Sequence, residues 1–435
     1  MKIIFLSLFI FSSAFAGELD IKFKVEKMTL ENGMTVLLHQ DNSVPLINYQ
    51  QWFRVGSKNE KPGLTGLAHF FEHLMFKGTK KYPGESTQRL IQASGGSNNA
   101  FTSYDYTGYY ETFPSDKLEL FMDIESDRMV NLIFDQKEID SEREVVKEEK
   151  RLRYDNSVMG TMYLATLNSV FKVSQYRWPV IGSMKDLNAA SMKDFKNFYK
   201  TYYSPNNAVV VIAGDIDIEK TKKLVKKYYS KLESQEIPEF KFTPEPTQRS
   251  QRVVRIKKDI RAPMIAMAVR APERDSDEAY AMDILARALG EGKSSRLYKK
   301  MVYTSGLASS ADSFLWSLKH SGMFALIVQL KPKANVSRSL SYMFTEMDKL
   351  VSKGITEKEL EKAKNIIISD MVQSLKTISG RARMLAEMEV LYSDYSLIFK
   401  ELERYEAITV EDVKKVAKKY LTGPKRSIVQ ILPKK

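Results

Sequence analysis

The sequence contains no cysteine. Disulfides, thiolate metal ligands, a thiol nucleophile and a lipid-modified cysteine are all excluded by that one absence. Histidine is nearly as scarce. His39, His69, His73 and His320 are the whole supply, so any imidazole chemistry must use these four. Beyond residue 16 no apolar run approaches the roughly 20 residues of a membrane-spanning helix, and no stable membrane insertion is expected. Homeodomain-like, RNA-recognition and zinc-finger patterns are also missing. The net charge of +13 comes from dispersed basic residues among many acids, as in Lys220–Lys227 and Lys414–Lys419. That spread reads as solvated surface, with no nucleic-acid partner.

What remains is an ordinary globular composition, 43% hydrophobic and 28% charged over 435 residues, long enough for two or more domains. Residues 1–16, MKIIFLSLFIFSSAFA, place one Lys before a short apolar run and then Ala14-Phe15-Ala16. This is the pattern of a secretory signal peptide cut after Ala16. The mature chain is expected to be soluble and exported, most readily to a bacterial periplasm. Its net charge would be +12, since Lys2 is the only charge removed.

Pro238, Pro244 and Pro246 precede a polar run, Thr247 to Gln251. Residues 236–251 therefore read as a linker between units at 17–235 and 252–435. The units repeat one another. Residues 191–202 (SMKDFKNFYKTY) and 409–420 (TVEDVKKVAKKY) share S/T-x-x-D-x-K-x-x-x-K-x-Y at an offset of 218. Each begins with a Ser/Thr N-cap and leads through a Pro-containing turn into an apolar strand, Ala208–Ala213 or Ser427–Leu432. Other strand-like runs are Thr35–His39, Ile47–Val55, Ala100–Phe113, Arg252–Ile256 and Met264–Val269. Helix-like runs are Gly66–Phe76, Ser86–Ala93, Lys117–Asn131, Gln136–Tyr154, Glu278–Leu289 and Glu357–Leu375. Strands and helices are grouped, which favours an α+β fold with mainly antiparallel sheets.

Two of the four histidines fall in one pentamer, His69-Phe-Phe-Glu72-His73. On a helix, positions i and i+4 share a face, so both imidazoles can meet one Zn²⁺. Glu72 then hangs beside the metal, placed to accept a proton from a water. This is the inverted zincin motif H-x-x-E-H. Pure zinc binding, or a structural role, requires no such base. A catalytic zinc needs a third protein ligand. His39 and His320 are candidates, although each also reads as structural or surface. The acidic segment Glu138 to Lys150 supplies Glu138, Glu142, Glu148 and Glu149. Glu142 and Glu149, two turns apart, share a face of a helix whose apolar stripe reads as Ile139, Val145, Val146 and Leu152. Spacing alone does not choose among these carboxylates.

These residues resemble the pitrilysin/insulinase family of inverted zincins, nearest the branch of mitochondrial processing peptidase and its bacterial relatives. That family carries a glutamate 76 residues beyond the second histidine, which here is Glu149. The resemblance implies Glu149 as third ligand, Glu142 as its supporting carboxylate, and one Zn²⁺ per chain. Gly78-Thr79 matches as well. So does Asn99-Ala100-x-Thr102-x-x-Asp105-x-Thr107-x-Tyr109, similar to a family strand from which Asn99, Ala100 and Phe101 would offer backbone groups to a peptide substrate. The resemblance implies two similar halves, each an antiparallel sheet packed with helices, with the metal site in the first only. The offset of 218 from His69 and His73 reaches Arg287 and Glu291, which form no ligand set.

Ser294 to Tyr298 and Gly306-Leu307-Ala308 also look like the family. An Arg and a Tyr, seven apart, often accompany them in active members. The aligned positions are Val302 and Ser309. Arg296 and Tyr298 belong to the preceding helix. The expectation is an exported zinc endopeptidase acting on short or unfolded peptides. It would pair with a second copy, or with a related subunit that supplies the Arg and Tyr. The alternative is a non-catalytic assembly subunit or zinc-binding module.

Overall fold

The computed structural model describes residues 22–434. The signal segment expected at residues 1–16 lies outside them. The first half contributes β1 (Glu26–Thr29), β2 (Thr35–Gln40), β3 (Leu46–Phe53), β4 (Ser97–Thr102), β5 (Thr107–Pro114) and β6 (Ala208–Gly214). The second contributes β7 (Arg252–Lys258), β8 (Met264–Ala271), β9 (Ala308–Ser317), β10 (Gly322–Leu330) and β11 (Ser427–Pro433). The fold is α+β, with one sheet ordered β1-β2-β6-β3-β5-β4 and the other β7-β11-β8-β10-β9.

Apart from β1, the two orders are the same path. β2, β6, β3, β5 and β4 correspond to β7, β11, β8, β10 and β9. The correspondence extends to pairing: β2–β6 and β7–β11 are parallel, and the remaining neighbours are antiparallel. The repeated helices behave alike too. Ser191 with Asp194 and Thr409 with Asp412 each close a reciprocal capping box, satisfying two orphan N–H groups. The run expected as one strand, Ala100–Phe113, is a hairpin that turns at residues 103–106.

Each sheet has a helix from the other half on one face. β6 (AVVVIAG) is buried throughout because it is covered on both sides. Ala208, Val210 and Ile212 face a core with Phe70 and Phe71. Val209, Val211 and Ala213 pack with Leu37 and Trp52 against Ala382, Leu385 and Ala386 of helix Ile378–Tyr392. Reciprocally, helix Val158–Val170 lays Met162 on Met264, Ala266, Val429 and Ile431 of the second sheet. Asp105, in the β4–β5 turn, ties the halves further. Its carboxylate accepts from Lys58 Nζ (2.9 Å), Tyr176 OH (2.7 Å) and the Lys319 backbone N–H (3.0 Å).

Candidate metal centre

The H-x-x-E-H pentamer lies on helix Leu67–Leu74. Its apolar face is fixed by Leu67, Phe70, Phe71 and Leu74, all buried in the first core. The opposite face therefore turns His69 and His73 outward. The helix starts without a Ser or Thr cap. Gly66, at φ +89°, makes the entry turn, and a Cβ there would lie 2.6 Å from the Ile181 carbonyl oxygen. Glu60 caps the end, accepting from the backbone N–H groups of Gly66 (2.9 Å) and Ala68 (2.8 Å).

Helix Gln136–Lys150 runs beside it, capped by Asp135. Ile139 and Val146 are buried and hold the two helices together. Val145 and Leu152, expected in the same apolar stripe, are not in the core. They are 49% and 63% exposed. The face they share with Glu142 and Glu149 is turned away from the core, so the sequence stripe merged two faces. At Arg151 the helix widens into a π turn, Arg151–Asp155, where a continuous α-helix was expected. Such turns are common at functional sites.

The donors converge. Glu149 Oε2 lies 3.6 Å from His69 Nε2 and 3.4 Å from His73 Nε2. Ligand atoms of all three residues fall within 4.8 Å of one another, and no second cluster of this kind occurs among the described residues. Tetrahedral zinc with bonds of about 2.0–2.1 Å sets its ligand atoms about 3.4 Å apart. The two Glu149 separations match that spacing, whereas they are long for direct hydrogen bonds. The other atoms of these side chains are held from behind. Glu149 Oε1 pairs with Arg153 Nη1 at 2.7 Å. His73 Nδ1 donates to Glu142 Oε1 at 2.8 Å, which directs Nε2 at the cluster. Glu142 Oε2 in turn binds Lys77 Nζ at 2.5 Å. Among the described residues His69 Nδ1 has no hydrogen-bond partner.

The electrostatics follow from these contacts. Burial holds the His69 pKa down to about 4, with the neighbouring His73 acting in the same direction. His69 is thus neutral and ready to ligate. Burial also opposes charge on His73, but the hydrogen bond with Glu142 and the nearby Glu149 carboxylate outweigh it and raise the pKa to about 9. The His73 contact pulls Glu142 down. Burial raises the carboxyl of Glu72, and a hydrogen bond from Thr102 Oγ1 (2.5 Å) partly offsets this. That moves Glu72 toward the range where a general base works near neutral pH.

His69, Glu72, His73 and Glu149 line a cavity of about 1070 Å³, together with Asn99 and Ala100 of β4. β4 is an edge strand paired only with β5, so its outer backbone groups are available. The Phe101 ring lies elsewhere, edge-on to Trp52 and beneath Arg383. Glu138 borders the cavity without joining the cluster. His39 is buried on the Lys24 carbonyl, and His320 stacks on Phe242. Arg296 is bound to Glu359 at 2.5 Å. Sequence reasoning gave no role to Lys77, Thr102 or Arg153. The i+4 spacing of Arg153 from Glu149 was the available signal for one of them.

Residues 35–169 match the family described as insulinase (peptidase family M16), and residues 189–367 match the peptidase M16 inactive domain. Zinc protease PqqE of Helicobacter pylori is 31% identical over 420 residues, spanning 94% of this chain and 93% of that protein. The crystal structure of a protease from Helicobacter pylori superposes with a TM-score of 0.88 at 30% identity, covering 95% of this chain and all of the other. The periplasmic protease PqqL from Escherichia coli shares the fold (TM-score 0.77, 20% identity). There the match covers 94% of this chain but 47% of that one.

Proposed function

We infer that this chain, which belongs to the insulinase (M16) family of peptidases, is a zinc endopeptidase acting on short or unfolded peptides. The observation that carries the reading is the meeting of His69, His73 and Glu149 in one cavity with a carboxyl, Glu72, whose pKa burial has raised. A zinc relative that is 31% identical along nearly the whole chain supports it.

When bound, zinc lowers the pKa of water and polarises a carbonyl. His69 Nε2, His73 Nε2 and Glu149 Oε2 would hold it. Glu142 fixes the tautomer and direction of His73 from behind. Glu72 takes the proton of the attacking water and then delivers it to the leaving amine. Thr102 orients the Glu72 carboxylate. The β4 edge aligns the peptide by strand addition beside Asn99 and Ala100. In this reading Glu142 is a positioning residue, and Glu72 is the group that handles protons.

The protein is exported and periplasmic in this account. The segment 1–16 supports that, as does a structural neighbour described as periplasmic. It acts with a second copy or a related subunit. By the family resemblance, Val302 and Ser309 align with positions at which active members often carry an Arg and a Tyr, and the match covers 47% of PqqL. The test is cleavage of a quenched peptide library by residues 17–435, alone and with a candidate partner, using Glu72→Gln as control. Zinc-dependent cleavage abolished in Glu72→Gln supports the reading. Cleavage that survives the substitution contradicts it.

A further inference from the structure

Lysines spread along the first half of the sequence are gathered by the fold onto one face. Helix Ile218–Tyr229 buries Thr221, Val225 and Tyr229, which recur every fourth residue. Lys220, Lys223 and Lys226 lie on its exposed side, and Lys231 follows in the next turn, also exposed. None of these four has an ion-pair partner among the described residues. Their neighbours Lys222 and Lys227 do, with Glu26 (2.7 Å) and Glu119 (2.6 Å). The acids on this face are Glu219, paired with Lys222 at 2.8 Å, and Glu233. Beside Lys231 lies a hollow of about 410 Å³. Met129, Val130, Tyr199 and Leu232 give it an apolar floor, and Lys200 and Lys231 border it. Val130 is 39% exposed. Unpaired basic groups next to an exposed apolar hollow suit an anionic amphiphile.

The face lies away from the metal centre. Lys222 binds Glu26 of β1, and Asn32, just beyond β1, donates to the carbonyls of Tyr229 (2.8 Å) and Leu232 (2.9 Å). The helix is thereby tied to the β1 edge of the first sheet. Asn99 and Ala100, which line the metal cavity, belong to β4 at the opposite edge.

We propose that this face docks the protein reversibly on an anionic phospholipid surface. The lysines meet headgroup phosphates, and the hollow takes the first carbons of a lipid chain between Lys200 and Lys231. Docking there leaves the metal cavity open to peptides, and the inference stands without the peptidase reading. The basic chemistry favours a lipid over a nucleic acid. An ammonium is a point charge that suits mobile phosphates, whereas polynucleotide binding draws on arginine forks and exposed aromatic faces. No arginine occurs from residue 178 to residue 248, the stretch that supplies all these lysines. A hydrophilic polyanion would also gain nothing from the apolar floor.

The test is sedimentation of residues 17–435 with vesicles of phosphatidylcholine, alone or with about one-third phosphatidylglycerol. Binding should require phosphatidylglycerol and fall about 10-fold or more between low ionic strength and about 0.5 M salt. Lys223→Glu with Lys226→Glu and Lys231→Glu should lower vesicle affinity about 10-fold or more. Lys293→Glu with Lys415→Glu and Lys418→Glu makes the same change in net charge at exposed positions elsewhere. That variant should lose less than about 3-fold. Val130→Ser should weaken vesicle binding several-fold without changing its salt dependence. The substituted side chains are all exposed, so each variant should keep the wild-type melting temperature. Displacement from the vesicles by soluble glycerol phosphate would assign the lysines to a free phosphate and overturn the surface reading. Equal binding to both kinds of vesicle, or equal loss in the two triple variants, would overturn it as well. So would tighter binding to a duplex DNA fragment than to the anionic vesicles at equal phosphate concentration.

Discussion

Glu142 accepts the Nδ1 proton of His73 at 2.8 Å, and its second oxygen is neutralised by Lys77 at 2.5 Å. One carboxylate thus sets both the direction and the charge of a metal-ligating imidazole that it never shares with the metal. Glu142→Gln keeps the shape and removes the charge. It should weaken zinc binding about 10- to 100-fold, read by competition with a chromophoric chelator. Lys77→Met should weaken it less, because it leaves the Glu142 contact to His73 in place. Equal affinity in wild type and Glu142→Gln would remove Glu142 from the site.

Zinc binding should release a proton. In the free protein His73 has a pKa near 9 and is charged at pH 7, whereas the metal needs its neutral form. Affinity should therefore rise with pH up to about 9. Calorimetry at pH 7 in two buffers of different ionisation enthalpy should report close to one proton released, and less in Glu142→Gln.

The same group ties metal-free stability to pH. The folded pKa of His73 lies above its ordinary 6.5, so its stabilising contribution is complete below 6.5 and is lost as pH rises through 9. His69 acts in a different window. Its folded pKa near 4 means the unfolded chain binds more protons between 4 and 6.5, and stability falls there on acidification. Thermal midpoints of the metal-free protein should decline from pH 6.5 to 9, and Glu142→Gln should flatten that decline.

Thr102→Val removes the hydrogen bond that lowers the Glu72 pKa. The acid limb of the kcat/KM profile should move to higher pH, with a several-fold loss of rate below neutrality. An unmoved acid limb would show that another group titrates there.

The halves should not fold apart. Helix Val158–Val170 would lose the cover of Met264, Ala266, Val429 and Ile431, and helix Ile378–Tyr392 would lose Leu37, Trp52 and Val209. Residues 22–235 and 236–434 made separately should aggregate or lack near-ultraviolet dichroism. Made together, they should give a soluble pair that melts in one transition. Two independently melting halves would contradict the exchange of helices.

Much of this was legible in the sequence for physical reasons. His69 and His73 announce themselves because i and i+4 share a helix face, and β6 does so because a strand covered on both sides is apolar throughout. The pattern S/T-x-x-D-x-K-x-x-x-K-x-Y, repeated at an offset of 218 behind Ser191 and Thr409, revealed the duplication. Helix Val158–Val170 left no clear period because apolar neighbours surround it on several sides. β9 (ASSADSFLWS) is an edge strand with little alternation. The parallel pairs β2–β6 and β7–β11 join strands far apart in the chain, which no local pattern records. Val145 and Leu152 looked like core because composition does not show which side of a helix is covered. Glu149 could not be separated from Glu138, Glu142 and Glu148 by spacing alone. Its place comes from the way Ile139 and Val146 seat one helix on the other.

The most direct test of the account is zinc content per chain, by elemental analysis after dialysis, for the wild type, Glu149→Gln and Glu138→Gln. Wild type and Glu138→Gln should each hold about one zinc, and Glu149→Gln should hold little or none at unchanged secondary structure. Zinc retained in Glu149→Gln, or absent from the wild type after exposure to excess metal, would contradict the site described for His69, His73 and Glu149.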